Sequence, residues 1–242
     1  FMIALIIFLT ITYKKDTIKI IKDAGYPALL GGLVMSLSFI AFVVSMSNTT
    51  VANVVFIIST QTMFLAIFGY FYLKEKVSII SFLSILLAMG GITIMVGDSL
   101  STGSFLGNIV ALAIPINFSI LVMIIRKNKN LDMVPAIFYS GIFSIFYGLI
   151  LSESYIFTSN DILMGFLLGV PQLAFGFICI TIGSRTTPST TIGLLMLTET
   201  LFAPIWVWLF LNEIPPASVL IGGAVIITAI ILKSLDQQKI PN

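Results

Sequence analysis

The chain has 242 residues, 58% of them hydrophobic and only 9% charged, with a mean hydropathy of +1.14. A water-soluble domain of that length must show far more polar surface, so the composition excludes one and points to an integral membrane protein. The net charge of +2 says little, but the inventory behind it says more: there is no histidine, and Cys179 is the single cysteine. An internal disulfide is excluded, no metal-ligand spacing exists, no cofactor is expected, and any proton chemistry falls to carboxylates.

The opening thirteen residues, FMIALIIFLTITY, are apolar but too short to cross a bilayer. No basic region precedes them and no small-residue cleavage site follows, so they do not read as a signal peptide. They read instead as the tail of a membrane helix that begins before Phe1. The next stretch, KKDTIKIIKDAG at 14–25, suits a short amphipathic segment at the lipid headgroups.

Hydropathy then divides the chain into eight spans, at 27–46, 51–73, 77–97, 104–125, 132–151, 162–183, 190–211 and 216–233. Each is long enough for a helix to cross about 30 Å of hydrocarbon, and the connections leave no room for a soluble domain. Nine alternating crossings put every basic residue on one side: Lys14, Lys15, Lys19, Lys22, Lys74, Lys76, Arg126, Lys127, Lys129, Arg185, Lys233 and Lys239. Asp98, Glu153, Asp161 and Glu213 fall on the other. The basic side, with the C-terminus, is therefore expected in the cytoplasm.

Sliding the sequence along itself by 138 residues, with no gap, superposes Gly31 on Gly169, Phe39 on Phe177, Thr60 on Thr198, Thr62 on Thr200, Phe64 on Phe202 and Glu75 on Glu213. Helix ends coincide at the same offset. Matched helices are five spans apart, and an odd number means that the two copies cross the membrane in opposite senses, the inverted repeat of secondary transporters. The expected fold is an all-α polytopic membrane protein with a 5+5 inverted repeat, nine helices or parts of helices being present. The first copy occupies 1–97 without its first helix, the second 104–233, and a cytoplasmic tail 234–242.

One acid stands out. The span at 190–211 reads TTIGLLMLTETLFAPIWVWLFL, with Glu199 near its middle, the lone Asp or Glu within the strongly apolar segments. An ionised carboxylate there costs roughly 2.5–3.5 kcal/mol on insertion scales, so a helix that keeps one usually gives it a pathway, a partner or a proton. Thr198 and Thr200 flank it, and Pro204 withholds a donor from the Thr200 carbonyl.

The stretch LTETLFAPIWVWLFLNEIPPASVLIGGAVIITAIIL at 197–232 resembles the EamA-type drug/metabolite transporter superfamily. TQTMFLAIFGYFYLKEKVSIISFLSILLAMGGITIMV at 60–96 repeats the pattern, with Gln61 for Glu199 and Glu75 for Glu213. The resemblance implies a ten-helix carrier in the cytoplasmic membrane that moves small metabolites, often outward. It does not imply a particular solute.

In inverted-repeat carriers the solute site lies near the midplane, where Thr60, Gln61 and Thr62 mirror Thr198, Glu199 and Thr200. A seven-residue step on a helix returns nearly to the same face, adding Asn53 below Thr60 and Thr191 below Thr198. Two further helices pair a proline with an amide, Pro115 with Asn117 and Pro171 with Gln172; each proline frees a carbonyl four residues back, at Ala111 and Leu167. The candidate solute ligands are thus Glu199, Gln61, Asn53, Thr60, Thr198, Asn117 and Gln172. The competing reading is structural: threonines bond their own carbonyls, prolines kink helices for packing, and Glu199 stays protonated. Trp206, Trp208 and Tyr139 are candidate pocket walls, Glu75 and Glu213 structural or gate residues, and the pairs Gly31-Gly32, Gly90-Gly91 and Gly222-Gly223 points of close helix approach. A membrane-embedded transferase lacks a nucleophile–base pair here, a non-transporting scaffold is the other alternative, and the scattered basic residues give nucleic acid nothing to bind. The expected partners are a small-molecule solute, protons and membrane lipid.

Overall fold

The computed structural model describes residues 1–97, 105–152, 158–211 and 216–237, the side chains at 52, 96, 203, 204, 206, 207 and 211 excepted. Asp98, Glu153, Glu213 and Lys239, part of the charge asymmetry above, lie outside the described residues.

Those residues form helices α1 (Met2–Tyr13), α2 (Thr17–Asn48), α3 (Val51–Ser59), α4 (Gln61–Leu73), α5 (Ile79–Val96), α6 (Phe105–Lys127), α7 (Val134–Leu151), α8 (Ser159–Leu167), α9 (Phe175–Ser184), α10 (Ser189–Leu211) and α11 (Ala217–Gln237). Among the described residues no strand occurs, because in a bilayer only a helix satisfies its own backbone within one segment. Six of the helical stretches are long and apolar enough to cross a membrane, and α5 and α10 contribute apolar runs at Ile79–Met95 and Ser189–Phe202. Each of the eight expected spans is found as helix. The fold is that of an all-α polytopic membrane protein.

Three spans are not straight. Gly25, with φ 50° and ψ −146°, breaks α2, and Pro27 follows it. A π-helical turn at Leu168–Ala174, holding Pro171, joins α8 to α9; this is where the proline was expected to interrupt the ladder. The span at 51–73 is cut at Thr60 into α3 and α4, which its proline-free sequence did not suggest. By contrast α6 runs on through Pro115.

The chain divides into two compact units, one of 1–40 with 120–186 and the other of 41–119 with 187–242. Each unit takes helices from both sequence copies. In the first, α1 packs on α7 and on the π-helical turn, and the repeat mates Phe39 and Phe177 meet edge to face at 5.4 Å. Gly31 and Gly32 of α2 lie against α7: a methyl on Gly32 would stand 2.5 Å from the Tyr139 Cβ and 2.7 Å from the Ala136 carbonyl oxygen. The close approach read from the sequence is real there. At the basic end of this unit two arginines exchange partners, Arg126 donating to the Ser184 carbonyl at 3.4 Å and Arg185 to that of Lys129 at 2.8 Å.

In the second unit each helix packs on its own repeat mate, α4 on α10 and α5 on α11. Gly91 meets Gly222, Ser81 meets Lys233 and Ser78 meets Asp236. Positions that rise along α5 fall along α11, so the mates run antiparallel. Thr62 and Leu65 against Gly193, with Gly69 against Ser189, give the same sense for α4 and α10. The two copies are therefore inverted within this unit. Its core is Ala88, Ile92, Met95, Leu194, Leu197, Ile226 and Ala229. Small residues set the spacing, as expected where lipid offers no hydrophobic drive and packing must hold helices together: a Cβ on Gly91 would come 2.8 Å from the Gly222 carbonyl oxygen, whereas one on Gly90 would meet nothing within 4 Å.

Candidate functional site

The break at Thr60 has a local cause. Val54, Val55, Ile57 and Ile58 are β-branched and lose rotamer freedom in a helix. Three hydroxyls within four residues then compete for the ladder's carbonyls: Ser59 donates to Val55 at 2.8 Å, Thr60 to Ile57 at 2.6 Å and Thr62 to Ser59 at 3.1 Å. The chain makes a tight turn and α4 starts at Gln61. Thr60 and Thr62 thus spend their hydroxyls on their own backbone, the structural reading. Thr198 does the same, donating to Leu195 at 2.7 Å.

Gln61 and Glu199, equivalent in sequence, have opposite surroundings. Gln61 is 6% exposed, beside the buried Thr62 and Leu65. Glu199 is exposed. The buried positions of α10 are Ser189, Thr190, Ile192, Gly193, Leu194 and Leu197; Gly193 is the one that meets Thr62 and Leu65 of α4, and Glu199, six residues on, is turned about 120° from it. Glu199 therefore points away from the face that packs on α4, along a stripe with Leu195 and Phe202, which are 49% and 52% exposed. The carboxyl and the amide are not brought together. Among the described residues the Glu199 carboxyl has no hydrogen-bond partner.

Asn53 goes elsewhere as well. It is 5% exposed, its side chain donating at 3.2 Å both to the Thr49 hydroxyl and to the Asn108 carbonyl oxygen, while Thr49 donates to Asn108 at 2.7 Å. Its backbone N–H is capped by the Thr50 hydroxyl at 3.2 Å. Gly107 lets α6 come close enough, for a Cβ there would lie 2.9 Å from Thr49. Asn53 thus belongs to a capping knot at the head of α3, and Asn108, its partner, carried no signal in the sequence beyond sitting beside a glycine. Asn117 is half-buried on α6 and Gln172 exposed on the π-helical turn of the other unit. Tyr139 is half-buried at the α2–α7 contact, and Trp208 is 52% exposed. The side chains of Pro204 and Trp206, and Glu213 entire, lie outside the described residues.

Glu75 has a definite structural duty. Lys74 ends α4 in the left-handed conformation, φ 57°, and the chain folds back so that the Glu75 carboxylate accepts the backbone N–H of Ser189 at 2.9 Å. An acid at the first turn of α10 offsets the partial positive charge of that helix end. A few residues on, the start of α5 and the end of α11 are joined by a buried cluster the sequence did not reveal: Lys233 and Asp236 form an ion pair at 3.7 Å, each side chain 8% exposed. Lys233 donates to Ser81 at 2.7 Å, and the Ser78 hydroxyl donates to Asp236.

An all-helical fold of long apolar helices, with antiparallel repeat mates in its second unit, defines the class of polytopic membrane proteins. The model of the EamA-like transporter family matches residues 1–97 and 105–235, and the chain belongs to that family. It is 27% identical to an uncharacterized transporter of Clostridium kluyveri, over all of this chain and 85% of that protein. A solved crystal structure shares the fold with a TM-score of 0.72, at 15% identity, over 99% of this chain and 98% of the other.

Proposed function

We propose that the protein is a secondary carrier of small metabolites in the cytoplasmic membrane, its basic loops and C-terminus in the cytoplasm, working by alternating access with Glu199 as the group that binds the solute or exchanges a proton with it. The observation that carries this reading is the exposure of Glu199. A carboxyl that points away from its own helix pair, at mid-span in an apolar stripe, is tolerable only where water or a solute reaches it. Such a group can serve both roles, as a carboxylate toward a cation or amine and as a carrier of one proton. Thr198, whose oxygen can still accept, and Phe202 on the same face, with Asn117, complete the proposed solute contacts; Gln61, Thr60 and Asn53 act as the framework of the interrupted helix.

Glu199→Gln in proteoliposomes tests the role directly, with a panel of labelled amines, amino acids, nucleobases and sugars. Transport that depends on pH in the wild type and becomes slow and pH-independent in the variant is the expected outcome. Unchanged rate and unchanged pH dependence would falsify the role of the acid. A transferase or a passive scaffold would move none of the panel.

A further inference from the structure

Between α1 and the long part of α2 the chain builds a separate short piece. Lys14 (φ 47°) and Gly25 (φ 50°) both have positive φ, so the helical residues from 15 to 24 are turned out of line with the helix before and the helix after. The piece is pinned at both ends. The Thr17 hydroxyl donates to the carbonyls of Leu9 at 3.1 Å and Lys14 at 2.9 Å, and Ala24 is 1% exposed.

What it presents is a face of three lysines around an isoleucine. Lys15, Lys19 and Lys22 recur at spacings that share one side of a helix, and all three are exposed. Ile18 stands among them, 67% exposed, and Tyr26, just past the kink, is 72% exposed. Asp16 and Asp23, three residues before and four after Lys19, border this face on one side, so that with Lys14 the segment still carries a net charge of +2. At a membrane surface the combination is the favourable one: the apolar side chain enters the acyl boundary and the lysine stems lie along it with their ammonium groups at the phosphates.

We propose that the Lys15, Ile18, Lys19 and Lys22 face is a docking surface for anionic phospholipid headgroups, holding the α1–α2 turn against the membrane. Three ammonium groups along about 10 Å of helix select a negative surface over a zwitterionic one, and Ile18 selects a lipid over a soluble anion. The surface lies on other helices than Glu199 and its occupation does not depend on which solute is carried.

The test uses the full chain in detergent, with melting temperature read as lipid is added. Phosphatidylglycerol should raise it, whereas phosphatidylcholine and inorganic phosphate should not. The K15Q/K19Q/K22Q variant should need on the order of a hundredfold more phosphatidylglycerol, about fivefold for each lysine lost, while K15R/K19R/K22R responds as wild type. The melting point without added lipid shows whether the variant is folded; a variant too unstable to read is replaced by the three single substitutions, each expected to shift the titration about fivefold. Equal responses to the two lipids, or a glutamine variant that titrates like wild type, overturns the proposal. A rise with phosphate assigns the face to a free anion instead, and a rise with polyglutamate but not with lipid assigns it to an acidic protein.

Discussion

The same stretch occurs twice in this protein and folds in two ways. Residues 51–73 are cut at Thr60, and the equivalent 189–211 form one unbroken helix. Where the first copy has Val55, Ile57, Ile58 and Ser59, the second has Gly193, Leu195, Met196 and Leu197. Leucine and methionine keep their rotamers in a helix; the β-branched run does not, and Ser59 adds a third hydroxyl to the competition for carbonyls. The interrupted copy buries a neutral amide and the continuous one exposes an acid. Inverted repeats thus supply a symmetric frame on which two equivalent positions take unequal work, one as framework and one as the proposed working group.

Exchanging the two groups gives the largest expected effect. Glu199→Gln should stop pH-dependent transport, and adding Gln61→Glu should not restore it, because position 61 is 6% exposed and an acid there stays neutral or disrupts the helix pair. Recovery in the double variant, measured in proteoliposomes, would show the positions to be interchangeable.

A second inequality lies at the ends of α5 and α11, where Lys233 has Met95 as its counterpart. Asp236→Asn leaves a buried ammonium unpaired and should cost about 3–5 kcal/mol, while K233M/D236L, which replaces both charges with apolar side chains, should lie close to wild type. Denaturant melts in detergent separate the two outcomes.

Smaller is the effect of Gly222→Val, whose Cβ would meet the Gly91 carbonyl oxygen and Met95. Overpacking of this kind costs roughly 1–3 kcal/mol. Gly90→Val, facing open space, should melt within about 0.5 kcal/mol of wild type in the same assay. Smallest is Ser59→Ala, which removes one hydroxyl from the competition without adding bulk at a position 2% exposed. It should slow amide hydrogen exchange at 59–62 by several fold, the opening of the turn costing about 1 kcal/mol more; exchange as fast as in wild type would place the cause of the break outside this turn.

Much of this architecture was legible in the residues. Apolar runs of bilayer length can only be helices, and the constant offset between copies gave the opposite senses in which α5 and α11 run, though not that they pack on each other. Glu75 was placed at a helix end by its position, although its partner Ser189, more than a hundred residues away, could not be. The candidate site was less legible for a physical reason. Seven-residue spacing does put Asn53 and Thr60 on one side of α3, but Asn53 bonds to Thr49 and Asn108 and Thr60 to the Ile57 carbonyl, and a threonine or asparagine does not declare whether its polar atoms face a cavity or its own surroundings. Burial decides that, and burial depends on which neighbour covers each face. Lys233 and Asp236 escaped notice for the same reason: at a helix end they read as a solvated pair, and only the serines of α5 make them an internal one.

The central claim is that the Glu199 face of α10 is wet and the Gln61 position is not. Glu199→Cys and Gln61→Cys, each made with Cys179 replaced by serine, can be exposed in sealed vesicles to a membrane-impermeant thiol reagent. Rapid labelling at 199 and protection at 61 is the predicted result. Labelling of 199 only by a lipid-soluble reagent would place the acid against the acyl chains and contradict the account.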